Sequence, residues 1–228
     1  MPTLIDAGVG NPAHLDALTD ALDGASLSLI LITHGHVDHV SGASAIRERW
    51  PSARVRRFGA TGDGLEPEER IDTGEGTLRV LHTPGHAPDH CCFLLEETSE
   101  VFCGDLARLG GTVVIPATRG GNLSQYLESL RRIRDLRPVR LFPGHGPVIG
   151  DPDRVIENYI RHRRDRDAQI LDAVAAGCRT AAEIAARVYR GLPPLLQGAA
   201  EDTVLAHLIK LREEGRVAGD TSGWCQAE

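Results

Sequence analysis

Short apolar runs alternate with helical patterns along this chain, and the alternation predicts an α/β fold. Thr3-Leu4-Ile5 reads as a strand. From Asn11-Pro12 to Leu22, Leu15, Leu18 and Leu22 recur at helical spacing, and Asp23-Gly24 stops the helix. Leu27 to Ile32 is an apolar run interrupted only by Ser28, and it reads as a strand. A helix is predicted from His39 to Trp50, ended by Pro51, followed by strands at Arg54 to Phe58 and Leu78 to His82. The polar, turn-rich stretch 59–76 between them is expected to be a surface loop. Cys91 to Leu95 and Val101 to Cys103 read as a hairpin about the acidic turn 96–100. A helix from Leu123 to Leu136 leads to a last strand, Val139 to Phe142.

At Asp151-Pro152 the pattern changes. A long helix is predicted from Asp153 to Ala176, with Ile156, Tyr159, Ile160, Ile170, Leu171 and Val174 on its apolar side. Thr180-Ala181-Ala182-Glu183 has the form of a capping box and opens a helix through Val188. A third helix runs from about Glu201 to Glu214, and 215–219 reads as a β wing. Helix, helix, helix, wing is the outline of a winged helix. The chain therefore divides into an α/β domain over 1–150 and a small winged-helix-like domain over 151–228.

The candidate chemistry is concentrated where the apolar run 27–32 ends. Thr33-His34-Gly35-His36-Val37-Asp38-His39 places four potential metal ligands within six residues, and Gly35 is expected to permit the sharp turn that lets them face one point. Three further candidates, His86, Asp105 and His145, each follow a short apolar stretch with a glycine immediately before them, as side chains displayed on tight turns at strand ends do. Imidazole and carboxylate suit zinc and its borderline neighbours, and His-x-His followed by Asp-His can serve two ions.

The run His34-x-His36-x-Asp38-His39, with His86, Asp105 and His145 in that order, resembles the metallo-beta-lactamase fold superfamily of zinc hydrolases. The segments 82–90 and 143–149 and the helical tail look closest to its beta-lactamase-like-protein-two branch, which includes relatives of glyoxalase II. The resemblance implies an αββα sandwich in which the hairpin that normally precedes Asp6-Ala7-Gly8 is missing, so that one sheet edge lacks its usual cover. It also implies that His34, His36 and His86 hold one Zn2+, that Asp38, His39 and His145 hold the other, and that Asp105 bridges them. Two such ions lower the pKa of a bridging water to give hydroxide and polarise the scissile bond, with Asp38 as a candidate proton acceptor. Asp6 is expected to orient a ligand, and His82 and His90 to hydrogen-bond around the site.

Composition narrows the partners. A formal charge of -7 gives no overall cationic footprint for nucleic acid or a membrane. The tail over 151–228 holds 11 basic and 13 acidic residues, although Arg161, Arg163, Arg164 and Arg166 form a concentrated basic run. The five cysteines are odd in number and lack a Cys-x-x-Cys pair, which argues against a disulfide framework. Cys103 stands two residues before Asp105 and is a candidate lining residue. No apolar stretch reaches the length of a membrane span and the N-terminus has no basic then hydrophobic leader, so a soluble, cytoplasmic protein is expected. The chain reads as a zinc-dependent hydrolase of a small ester or thioester. Alternatives are an endoribonuclease acting on single-stranded RNA and a non-catalytic metal-binding regulatory protein.

Overall fold

In the computed structural model, which describes residues 1–227, β1 (Thr3–Ile5) and β3 (Arg54–Arg57) flank β2 (Leu29–Ile32), and both pairings are parallel. Every side chain of β2 is buried, because both faces of this sheet are covered. Leu29 and Leu31 join Leu65, Leu78, Val80, Cys91 and Phe93 in the core between the two sheets. Ile30 and Ile32 pack with the helices α1 (Pro12–Leu22) and α3 (Ala43–Arg49) through Leu15, Leu18 and Ile46.

The second sheet has the order β4 (Arg70–Asp72), β5 (Thr77–His82), β6 (Cys91–Leu95), β7 (Glu100–Gly104), β8 (Arg140–Pro143). Its neighbours are antiparallel as far as β7, and β8 lies parallel to β7. Leu81, Cys92, Val101, Cys103 and Leu141 pack with α4 (Leu123–Asp135) and the first half of α5 (Pro152–Ala175). The layers are therefore helix, sheet, sheet, helix, the αββα sandwich. No helix among the described residues is long and apolar enough to cross a membrane.

Two local expectations change. The stretch 59–76 contains β4, which pairs with β5 through Arg70–Arg79, Ile71–Leu78 and Asp72–Thr77. The helix expected from His39 to Trp50 is broken into α2 (Val37–Val40) and α3. The cause is contact with the segment 7–10. The Gly42 amide donates to the Gly8 carbonyl at 2.9 Å, and any side chain at Gly42 would stand 2.1 Å from the Ala7 carbonyl oxygen. The same contact ties the turn after β1 to α2, through the Ala7 amide on the His39 carbonyl at 2.7 Å.

Beyond α5, α6 (Ala181–Val188) carries the reciprocal capping box of Thr180 and Glu183. A 3-10 turn at Pro194–Leu196 leads into α7 (Gln197–Glu213), which starts four residues earlier than its apolar pattern suggests, and the wing is β9 (Val217–Asp220) paired with β10 (Gly223–Gln226). Val155, Ile156, Tyr159 and Ile160 of α5 belong to the core over the second sheet, whereas Ile170, Ala173 and Val174 belong to the winged-helix core with Ile184, Val204, Leu208, Leu211 and Trp224.

Candidate metal centre

Because β5, β7 and β8 run in one direction, the residues that follow them emerge at one rim of the sandwich. His86 follows β5, Asp105 follows β7 and His145 follows β8; His34 and His36 follow β2, and Asp38 and His39 lie in α2. All seven side chains meet there, in three overlapping groups whose ligating atoms lie within 4.8 Å of one another.

In the first group, His36 Nδ1 stands 2.9 Å from His34 Nε2 and 3.0 Å from His86 Nε2. In the second, His145 Nε2 lies 3.1 Å from Asp38 Oδ2, and His39 Nε2 lies 3.8 Å from the same oxygen. Asp105 lies between the groups with one oxygen turned to each. Its Oδ1 is 3.6 Å from His39 Nε2 and 3.6 Å from His145 Nε2, and its Oδ2 is 3.6 Å from His86 Nε2. Ligands held at about 2.05 Å around a tetrahedral ion are separated by about 3.3 Å, so these spacings suit bound cations.

The surrounding hydrogen bonds decide which nitrogens are free to ligate. Thr33 Oγ1 donates to Asp6 Oδ2 at 2.8 Å and accepts from His34 Nδ1 at 3.0 Å, which leaves the Nε2 lone pair of His34 facing the group. His39 Nδ1 donates to Asp6 Oδ2 at 2.7 Å, and its buried Nε2 has no hydrogen-bond partner among the described residues. His86 Nδ1 donates to the Val114 carbonyl at 2.8 Å. The three Nδ1 atoms are thus occupied and the three Nε2 atoms face one pocket, where the buried Nε2 of His39 is left without a hydrogen-bond partner, a costly arrangement that a bound cation would relieve.

Electrostatics agree. Burial, reinforced by neighbouring imidazoles, holds His34 well below the usual imidazole range, and burial also lowers His86. Burial opposes charge on His39 too, yet the nearby carboxylates of Asp105 and Asp6 outweigh it and lift its pKa to about 10, so without an ion His39 carries a proton that a bound cation would displace. Asp105 is held below the usual carboxylate range, because its contact with His39 outweighs the cost of burial. The pocket attracts positive charge.

Glycine matters at two of these turns. At Gly104 (φ 46) a side chain would approach Thr33 Cβ and His90 Nε2 at 2.8 Å; at Gly85 (φ 138) it would meet the Tyr126 backbone at 2.3 Å. Gly35, by contrast, takes no left-handed conformation, and a side chain there would come 3.0 Å from Asp89 Oδ2. The turn at His34 to Asp38 therefore needs space more than backbone freedom.

Asp6 orients His39 and Thr33. His90 accepts from the Asp105 amide at 3.1 Å and shares a 2.9 Å hydrogen bond with Thr83 Oγ1, so it fixes the backbone beneath Asp105. Burial lowers its pKa to about 3. His82 turns away, with Nε2 on the Pro88 carbonyl and its ring stacked on Phe58. Cys103 does not line the site; it is fully buried with the core of the second sheet. The sequence alone assigns no role to Thr33 or to the Val114 carbonyl. The position of Thr33 directly before the histidine run was the available signal for the first, and a backbone carbonyl carries none.

The sequence profile of the metallo-beta-lactamase superfamily matches residues 2–57 and 53–145. The chain belongs to this superfamily. Residues 180–224 match the beta-lactamase associated winged helix domain. A beta-lactamase-like protein 2 homolog of Drosophila melanogaster is 37% identical over 94% of this chain and 79% of its own length. An atrochrysone carboxyl ACP thioesterase of Passalora fulva is 31% identical over 82% of this chain and 59% of its own. A metallo-beta-lactamase family protein of Thermus thermophilus superposes with a TM-score of 0.82 over 97% of this chain and 89% of its own, at 23% identity. A protein crystallised in a di-iron-bound form is 29% identical, with a TM-score of 0.55 over 64% of this chain and 82% of its own.

Proposed function

We propose that this chain is a binuclear metal-dependent hydrolase of an ester or thioester and that its ions are zinc. His34, His36 and His86 hold one ion, Asp38, His39 and His145 the other, and Asp105 stands between them. The observation that carries this reading is the split of the Asp105 carboxylate, with Oδ1 toward His39 and His145 and Oδ2 toward His86. When bound, such ions lower the pKa of water toward neutrality and polarise the scissile carbonyl.

The chain's own residues hold the ligands and move the proton. Asp6, Thr33 and the Val114 carbonyl hold the Nδ1 protons of His39, His34 and His86, so Nε2 is the nitrogen each ring offers to an ion. Asp38 is the most solvent-open of the acidic candidates, and it takes up the proton released on attack. No serine or cysteine nucleophile is needed, and burial pushes the Cys92 thiol up to about 12 and Cys103 well above its ordinary value.

The ester or thioester assignment draws on the thioesterase among the relatives. Two of the four arginines in the basic run on α5, which an RNA backbone would need, are taken up by aromatic neighbours, while Arg161 and Arg164 are exposed. Arg163 is 1% exposed with its guanidinium 5.5 Å from the centre of the Tyr126 ring, and Arg166 lies 4.0 Å over Tyr189. Purified protein is expected to carry about two equivalents of zinc by elemental analysis. It should hydrolyse an aryl ester or acyl thioester, and His34→Ala or Asp105→Ala should abolish this while leaving the circular dichroism spectrum intact. Full activity after exhaustive chelation would sink the proposal. Cleavage of labelled single-stranded RNA, with both esters untouched, would move the assignment to a nuclease.

A further inference from the structure

The segment 106–119 passes between the metal centre and the C-terminal module, and hydrogen bonds run outward from it in both directions. On the inner side the Val114 carbonyl accepts the His86 Nδ1 proton at 2.8 Å. On the outer side, one residue earlier, the Val113 carbonyl accepts from Arg163 Nη2 of α5. Near its end, Asp202 of α7 accepts from the Thr118 amide through Oδ1 and from Thr118 Oγ1 through Oδ2, each at 3.0 Å. Closer to Asp105, Tyr126 donates to the Leu106 carbonyl at 2.7 Å, and the Tyr159 hydroxyl accepts from the Arg108 amide at 3.1 Å with the Arg108 and Gly111 carbonyls in reach of its one proton.

These contacts on one loop come at a cost. Burying a guanidinium is unfavourable, and among the described residues Arg163 has no carboxylate partner; its Nε has no hydrogen-bond partner there either. What Arg163 gains is a fixed Val113–Val114 peptide plane, and only the backbone rotations at Val114 separate that plane from the carbonyl that meets His86. Asp202 does the same from the far end with two hydrogen bonds to one residue, a geometry that fixes the orientation of Thr118 as well as its distance.

We propose that the C-terminal module positions His86: Asp202 and Arg163 hold the 106–119 strap so that the Val114 carbonyl keeps the His86 imidazole with Nε2 turned into the site. Both are positioning residues and neither touches a reacting atom. This rests on the metal-centre reading above. The strap gives the winged helix a structural role, since its α7 holds Thr118 through Asp202 and α5 holds Val113 through Arg163.

The test uses Asp202→Ala and Thr118→Val, at positions exposed enough for the chain to keep its fold, with Asp202→Asn as the conservative partner that keeps one acceptor. In the metal-free full chain, imidazole nitrogen NMR should show His86 as the Nδ1-protonated tautomer in wild type and as a tautomer mixture in Asp202→Ala and Thr118→Val. After loading with zinc, the two variants should release one ion about tenfold faster to a chelator and lose kcat by a similar factor with KM little changed, and Asp202→Asn should recover part of both. Wild-type tautomer and wild-type zinc release in both variants would overturn the positioning role. A wild-type chain that takes up no zinc, while His86 keeps its single tautomer, would remove the hydrolase reading and not the strap.

Discussion

At the scale of single residues, the protein separates two kinds of buried histidine. Those at the rim turn a free nitrogen toward a common point, whereas His207 gives its Nδ1 proton to Asp167 Oδ1 at 2.6 Å, and Lys210 donates to the other oxygen at 2.9 Å. Burial lowers the pKa of His207 below 6.5, with Asp167 opposing and Arg163 and Lys210 adding to the shift. The unfolded chain therefore holds more protons than the folded one just below pH 6.5, and stability should fall as pH drops through that window. Asp167 acts lower. Although burial raises its pKa, His207 and Lys210 bring it below 3.8, so its contribution is lost only as pH falls through that lower folded value. In His207→Asn the amide can donate in place of Nδ1 without titrating. Its urea midpoint should change less than wild type between about pH 6.5 and 5; an unchanged slope would place the acid sensitivity elsewhere.

At the scale of elements, close backbone approach decides where the ligands stand. The turn before His86 runs against α4, with the Asn122 amide on the Gly85 carbonyl at 2.8 Å. Gly85→Ala would drive a methyl into the Tyr126 backbone, which a helix cannot yield, in a conformation alanine avoids. It should cost more than about 2 kcal/mol by urea unfolding and lower zinc occupancy with it. Thr180→Ala removes one half of the α6 capping box and leaves the metal centre untouched. It should cost about 1 kcal/mol with kcat unchanged.

At the scale of the whole molecule, α5 is the element both cores need. Its first half closes the αββα sandwich and its second half is the floor of the winged helix. The protein carries two tryptophans, Trp50 on the far side of the sandwich beside the first sheet and Trp224 in the wing, so the sandwich and the winged helix each have a reporter. Single-tryptophan variants should unfold in urea with coincident midpoints, because neither core survives loss of the shared helix. Two separated transitions would show that the cores fold independently.

The ligand types, their order and the alternation of elements were legible in the sequence, because strand burial and turn-mounted histidines leave local signatures: an unbroken run at 29–32, and a glycine before each of His86, Asp105 and His145. The break in the helix after His39 was not, because its cause is the Ala7 carbonyl, more than thirty residues away. Nor was the fate of Arg163, which reads as surface charge beside Arg161 and Arg164 until α5 is seen to lie over Tyr126 and Val113. Which nitrogen of each histidine is free was also decided only by tertiary structure, since Asp6, Thr33 and the Val114 carbonyl set it by distance and direction, and a backbone carbonyl leaves no mark in a string of residues.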